Sequence, residues 1–517
     1  MSVCSHNFAY TDSERPAPMA VREALAPRFS VVAASKSRTL QRTWLDTFDW
    51  RLHRAGLTLE CVAGRGPAEF VLSGTAGERI TATANGTRWP VLAEGLPSGP
   101  LQDRLKGLTS VRALLPAAKA ASTVSEFRLC NTDDKTVAWL TVDLLHPPRP
   151  SAAGPPALLC LTAVRGYQAQ ADRIAQCLAA QPGMFRGAPP PLDAVLATVG
   201  HAPGEYTNKV DVELSATMPA RMALAAVLLR LLDTLEANVA GTIRDIDTEF
   251  LHDLRVAVRR TRSALKLGAT LLPDGVAAEY QPEFKWLGDL TTPTRDLDVH
   301  LLGFADGAAG LTSADPADLA PFHDYLMQRR STEQRRLARA LRSARFATLT
   351  TAWRSTLTSL TPPRRGPDAA HAAAGILGHA HRRVLAQGGA IGAGSPPEKL
   401  HDLRKRCKEL RYALEFFAPL YDLPTHRRAV RELKGLQDCL GTYQDCEVQQ
   451  KEIRVIAADL LARGGVPATA LLAMGDLASH IGQRERQARG EFSSRFAVFA
   501  SRQAQARFEA LTASARS

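Results

Sequence analysis

The sequence predicts an α+β protein, with a mainly antiparallel β-rich N-terminal domain and an all-α C-terminal domain. Three observations carry that prediction. Short runs rich in Val, Leu and Thr recur between turn-forming residues as far as Val164; long Ala/Leu/Arg stretches with helical spacing take over from about Met218; and part of that second region occurs twice. A chain of 517 residues also exceeds one ordinary hydrophobic core, so at least two domains are expected.

In chain order, residues 1–29 read as a tail and 30–200 as the β-rich domain, with strands over 57–62, 70–72, 137–142 and 157–164. Pro-rich breaks at 147–150 and 189–191 interrupt this region, and the domain boundary falls near residue 205. The helical domain occupies 215–510, in halves of about 215–360 and 370–510, with breaks near Pro273, Pro316, 361–366, 388–397 and 464–465.

Composition narrows the partner. The chain is 45% hydrophobic, 22% charged and only 6% aromatic, as a folded helix-rich protein is, and its formal charge of +12 favours an anion: nucleic acid, a membrane surface or a polymer of phosphates. The eight cysteines are scattered without a CxxC pair or zinc-ligand spacing, which reads as reduced thiols in the cytoplasm. No signal-like N-terminus and no long apolar run is present, so neither secretion nor membrane spanning is indicated.

The internal repeat is the most informative feature. Leu251-His-Asp-Leu-Arg255 recurs as Leu400-His-Asp-Leu-Arg404, 149 positions later, and the same offset carries Lys285 onto Lys434, Leu287 onto Leu436, Asp289 onto Asp438 and Asp296 onto Asp445. Such agreement predicts two homologous helical halves. In the first, His252, Arg255, Arg259 and Arg262 fall within an arc of roughly 80° at helical spacing, opposite Leu254, Val258, Thr261 and Leu265. In the second, His401, Arg404, Lys408 and Arg411 oppose Leu403, Cys407, Leu410 and Leu414. Unpaired like charges at this spacing destabilise a helix by a few tenths of a kcal/mol per pair. A solvated face has no need to keep the same His and Arg offsets twice, so the stripes read as anion-binding. Arg supplies planar forks of donors and Lys a mobile charge, a combination suited to phosphate oxygens. The ridge from His252 to Lys266 extends over roughly 20 Å, more than one phosphate group needs. Both histidines are expected at helix starts, where backbone N–H groups also favour anions. Arg295, which falls on Gln444 in the second half, and Tyr412, the one aromatic close to a stripe, complete the candidates. Asp296, Asp298, Asp445 and Glu447 read as salt-bridge partners. No metal site is expected, because Arg rather than carboxylate or a second His neighbours each His.

These doubled helices, followed by Phe284-Lys-Trp-Leu-Gly-Asp-Leu290 with Arg295-Asp-Leu-Asp298, and by Leu433-Lys-Gly-Leu-Gln-Asp-Cys-Leu-Gly441 with Asp445, resemble the CHAD family, the conserved histidine α-helical domain, over about 215–510. The resemblance implies two four-helix-like halves related by pseudo-twofold symmetry around a basic channel that binds inorganic polyphosphate without catalysis and can direct the protein to polyphosphate granules and their proteins. Carried over, the contacts would be His252, Arg255, Arg259, Arg260, Arg262, Lys285, His401, Arg404, Lys405, Lys408, Arg411 and Lys434; Lys266, Arg295 and Tyr412 join them from the residue pattern. No cofactor is implied.

The N-terminal region resembles a CYTH, or triphosphate tunnel, domain through Trp44-Leu-Asp-Thr-Phe-Asp49 and Leu52-His-Arg-Ala-Gly-Leu-Thr-Leu59. The family's opening Glu-x-Glu-x-Lys strand has no equivalent between Met1 and Arg42, and Glu60 stands where an Arg is usual, so a degenerate, inactive domain is expected. Two other readings stay open: a Mg²⁺-dependent triphosphatase anchored to its substrate by the helices, and nonspecific nucleic-acid binding, disfavoured by the scarcity of aromatics beside the stripes.

Overall fold

Alternating apolar positions make the N-terminal unit a single antiparallel sheet. Its strands are β1 (His6–Tyr10), β2 (Ser30–Ala33), β3 (Arg38–Thr47), β4 (Leu57–Ala63), β5 (Ala68–Gly74), β6 (Arg79–Ala84), β7 (Leu114–Cys130), β8 (Thr136–His146), β9 (Ala157–Ala163) and β10 (Met184–Arg186). They lie in the order β10-β1-β9-β8-β7-β3-β4-β5-β6, with β2 also on the long β7. Five helices accompany them: α1 (Ala17–Leu25), α2 (Arg51–Arg54), α3 (Pro100–Thr109), α4 (Gln168–Ala179) and α5 (Pro191–Ala197). The computed structural model describes residues 6–12, 15–26, 28–64, 66–75, 77–86, 88–147, 154–187 and 190–514. The chain divides into two units, Met1–Thr207 and Asn208–Ser517.

The sheet carries separate apolar clusters toward its two ends. Phe8, Leu140, Leu159 and Leu161 pack with Val21 and Leu25 of α1 and Ile174 and Leu178 of α4, while Leu59, Phe70 and Leu72 pack with Leu52 of α2 and Leu101 and Leu105 of α3. Within residues 1–29, read above as a tail, β1 bridges β9 and β10 and α1 lies on this core. Residues 148–153 lie outside the described residues, including part of the expected Pro-rich break.

The helical unit begins with α6 (Ala220–Arg244), α7 (Thr248–Leu267), α8 (Val276–Leu302), α9 (Phe304–Ala309), α10 (Ala320–Leu341) and α11 (Ala344–Thr358). It continues with α12 (Ala369–Gly389), α13 (Pro397–Phe416), α14 (Leu423–Arg463), α15 (Ala468–Phe499) and α16 (Arg502–Ser514). The starts of α6 and α12, and of α7 and α13, repeat the 149-residue offset. The residues that precede the first pair, Pro219 and Asp368, form an antiparallel bridge with each other. One apolar core runs through both halves: Leu254 and Val258 of α7 share it with Leu403, Cys407 and Leu410 of α13. The halves differ most after α8, where α14 continues unbroken for 41 residues against the 27 of α8. Pro282 and Pro293 lie inside α8 without ending it.

Cys61, Cys130, Cys177, Cys407, Cys439 and Cys446 are free, and burial pushes the Cys407 thiol up to about 12. Cys160 departs from the expectation of uniformly reduced thiols, being disulfide-bonded. No described helix is long and apolar enough to cross a membrane.

Candidate functional site

The apolar face of each stripe helix is buried, and that fixes where the cations go. Leu251, Leu254, Val258 and Leu265 of α7, and Leu400, Leu403, Leu410 and Leu414 of α13, are all buried, so the basic residues of both helices turn toward two neighbouring cavities. The larger, of about 710 Å³, is lined by Arg259, Arg262, Lys266 and Lys285 from the first half and by Lys405, Lys408 and Tyr412 from the second. The smaller, of about 300 Å³, is lined by His252, Arg259, Arg260, Arg404, Lys408, Arg411 and Tyr412. Eleven of the fifteen sequence candidates therefore line these two cavities. Arg255, Arg295, His401 and Lys434 do not: Arg255 Nη1 donates to Thr292 Oγ1 at 2.7 Å, Thr291 Oγ1 at 3.2 Å and the Gly288 carbonyl at 3.3 Å, Arg295 Nη1 donates to the Thr248 carbonyl at 3.5 Å, His401 pairs with Gln444, and Lys434 pairs with Asp438 at 2.7 Å. The matched Lys285 pairs with Asp289 at the same 2.7 Å, so the repeat extends to side-chain geometry.

The 149-residue offset sorts the cations into two sets. His252 and His401, Arg255 and Arg404, Arg259 and Lys408, and Arg262 and Arg411 keep their character in both halves. Arg260 and Lys266, however, fall on Glu409 and Glu415, and the structure pairs them crosswise. Arg260 Nη2 lies 2.7 Å from Glu415 Oε2, and Lys266 Nζ lies 2.5 Å from Glu409 Oε1. Both pairs join α7 to α13, and the 149-residue offset exchanges one with the other. Arg411 also reaches Glu415 at 2.7 Å, and Arg406 reaches Glu409 at 3.0 Å. Burial pushes the Glu409 carboxyl up, but hydrogen bonds from Lys266 and Arg406 outweigh it and hold the carboxyl below its ordinary range. Arg260 and Lys266 are thus committed to a strap between the halves. Sequence reasoning missed Glu415, although the charge reversal at the repeat offset marks it.

Within the conserved-character set Arg404 pairs with Asp445 and Arg411 with Glu415, but the other cations are left without that neutralisation. Among the described residues no carboxylate lies within 4.0 Å of Arg255, Arg259, Arg262 or Lys408. Burial lowers the Arg255 pKa, with Arg259, Arg295 and Arg262 adding to the effect against Asp296. Lys408 is lowered to about 7 by burial and by Arg404 and Arg259, with Asp445 opposing. Such a cluster is a local positive field that the neighbouring carboxylates leave incompletely balanced. Arg259 Nε donates to Tyr412 Oη, linking α7 to α13 between the cavities; Tyr412 itself is buried and stacks on Phe416.

The histidines stand one turn inside their helices rather than at the starts, and the first N–H groups of α7 are already occupied by the Asp247 side chain. His401 Nδ1 hydrogen-bonds Gln444 Oε1, on the position that matches Arg295. Of the expected acidic partners, Asp298 accepts from Arg330 at 2.8 Å, Asp445 from Arg404 at 2.9 Å and Glu447 from Lys451 at 2.6 Å. Among the described residues no group of three or more His, Cys, Asp and Glu side chains is placed to hold a metal ion.

The CHAD domain family model matches residues 226–454, from within α6 to within α14. This chain carries a CHAD domain. The CHAD domain from the plant Ricinus communis is 26% identical, with 58% of this chain and 98% of that one covered at a TM-score of 0.49. PptA from Streptomyces chartreusis is 19% identical, with 54% and 99% covered at a TM-score of 0.44. Among curated proteins nothing matches. The antiparallel sheet of the N-terminal unit is consistent with a CYTH-like domain. In its resemblance motif, Asp46 accepts from the backbone N–H groups of Thr47, Leu52 and His53 at 2.7–2.9 Å, so that carboxylate shapes the turn into α2. Asp49 pairs with Arg51 at 3.0 Å.

Proposed function

We propose that the CHAD domain of this protein binds inorganic polyphosphate without chemical conversion, through the repeated cations of α7 and α13. The observation that supports this most directly is the unpaired, partly buried set Arg259, Arg262 and Lys408 beside two cavities, in a domain that spends other carboxylates on Arg260 and Lys266. Phosphate oxygens are suited to Arg forks and to a Lys point charge, and a polymer uses several at once. Granule association, with granule proteins as neighbours, and a cytoplasmic location belong to the same proposal.

The N-terminal unit is assigned no hydrolytic role in this reading. Arg42 on β3 is committed to Glu60 at 3.1 Å and Asp143 at 2.8 Å, which leaves it no charge for a triphosphate. Nucleic acid is disfavoured because the aromatic at the site, Tyr412, is buried and offers no face for base stacking.

The test is a salt titration of long-chain polyphosphate binding to the wild type and to an Arg255→Ala, Arg259→Ala, Arg404→Ala, Arg411→Ala variant whose helicity is checked. Tight binding with a steep salt slope that flattens in the variant supports the reading. Unchanged binding in the variant, or preference for DNA in competition, rejects it. Phosphate release from tripolyphosphate with Mg²⁺ would overturn the non-catalytic part.

A further inference from the structure

The two cavities share three lining residues, Arg259, Lys408 and Tyr412. Two of the three are cations without a carboxylate partner among the described residues, and the third receives the hydrogen bond that runs from α7 to α13. Positive charge is therefore least balanced where the cavities meet. At their outer sides it is partly cancelled, by Glu409 beside Lys266 in the larger cavity and by Glu415 beside Arg260 and Arg411 in the smaller. A compact anion seated in one cavity reaches only part of the cation set. A linear anion passing from one cavity into the other places charge over Arg259 and Lys408 and draws on both halves of the repeat. The Arg259–Tyr412 bond joins α7 to α13 where the two cavities share their lining.

We propose that the Arg259–Tyr412 contact divides the site into two anion subsites, and that the preferred ligand is a linear phosphate chain long enough to occupy both at once. The inference rests on the polyphosphate reading. Tyr412 acts as a divider whose hydroxyl must release Arg259 for the chain to pass, which separates short chains, held in one subsite, from chains that bridge.

The experiment is a calorimetric titration of the full chain at low salt with tripolyphosphate and with a phosphate chain of defined intermediate length, each alone and in competition. Two tripolyphosphates per protein, both excluded by one longer chain, are expected. A tripolyphosphate that still enters when the longer chain is saturating rejects the inference while leaving polyphosphate binding intact; failure of both chains to bind rejects both. Tyr412→Phe keeps the buried ring and removes the acceptor of Arg259, so the longer chain should bind about three- to tenfold more tightly, the worth of one hydrogen bond, and should gain more than tripolyphosphate does. Unchanged or weaker binding of the longer chain to Tyr412→Phe removes Tyr412 as the divider.

Discussion

Arg42 in the sheet and Arg259 in the helical unit are both arginines set beside an apolar core, yet they are treated in opposite ways. Arg42 is enclosed by Glu60 and Asp143, whereas Arg259 has a neutral phenol as its partner. A charge that is balanced where it lies serves the fold. A charge left unbalanced weakens the fold slightly and is available for something outside it.

Breaking the balanced set should have the largest effect. Arg42→Ala leaves two enclosed carboxylates uncompensated and is expected to destabilise the N-terminal unit by about 3–5 kcal/mol, read by thermal unfolding. Burial already raises the Glu60 pKa against the pull of Arg42. Without Arg42 it rises further, so the loss should shrink as pH falls and Glu60 takes a proton, and grow as pH rises. A loss uniform in pH would show that Glu60 does not sense Arg42.

Arg259→Ala should do the reverse. Stability is expected to stay within about 0.5 kcal/mol of wild type, since no charged partner is orphaned, while polyphosphate affinity falls about tenfold as one charge-assisted contact is lost. Calorimetry and unfolding on the same preparation separate the two, and a large stability loss would erase the contrast with Arg42.

The strap gives a smaller effect. Glu415→Gln should cost about 1 kcal/mol of stability, and the double swap Arg260→Glu, Glu415→Arg should recover part of it, measured as a double-mutant cycle. No coupling between the two positions would show that the crossing pair is only proximity.

The smallest expected signal is a pH dependence of binding. Lys408 is lowered to about 7 in the free site, chiefly by burial and then by Arg404, Arg259 and Arg255, with only Asp445 opposing. A bound polyanion raises that pKa, so binding takes up a proton above pH 7, and affinity should weaken by about threefold per pH unit over the first unit above it. Lys408→Arg, which stays charged, should flatten the profile. The same lowering means that the free fold gains stability at this position as pH rises from about 7 toward the ordinary lysine range.

Much of the helical unit was legible because its signals are local: the apolar faces of α7 and α13 repeat every three to four residues, and the offset kept both stripes in register. The strap was not read, because Arg260 and Glu415 are 155 residues apart and neither looks unusual among its own neighbours. The inner position of the histidines was missed because Asp247 and Pro396, not the histidines, begin the helices. In the N-terminal unit, strands with strong alternation such as β4 and β8 were visible. The short β1 was not, since its two partners, β9 and β10, lie far downstream in the chain and supply the burial that defines it.

The charge reversal at the repeat offset also sets a pairing code. Were the first half to associate with a copy of itself, Arg260 of each would meet Lys266 of the other; two copies of the second half would set Glu409 against Glu415. Each half is thus repelled by its own likeness and attracted to its counterpart, so association of separated halves would be heterotypic, and neither sequence could replace the other without both carboxylates and both cations changing together.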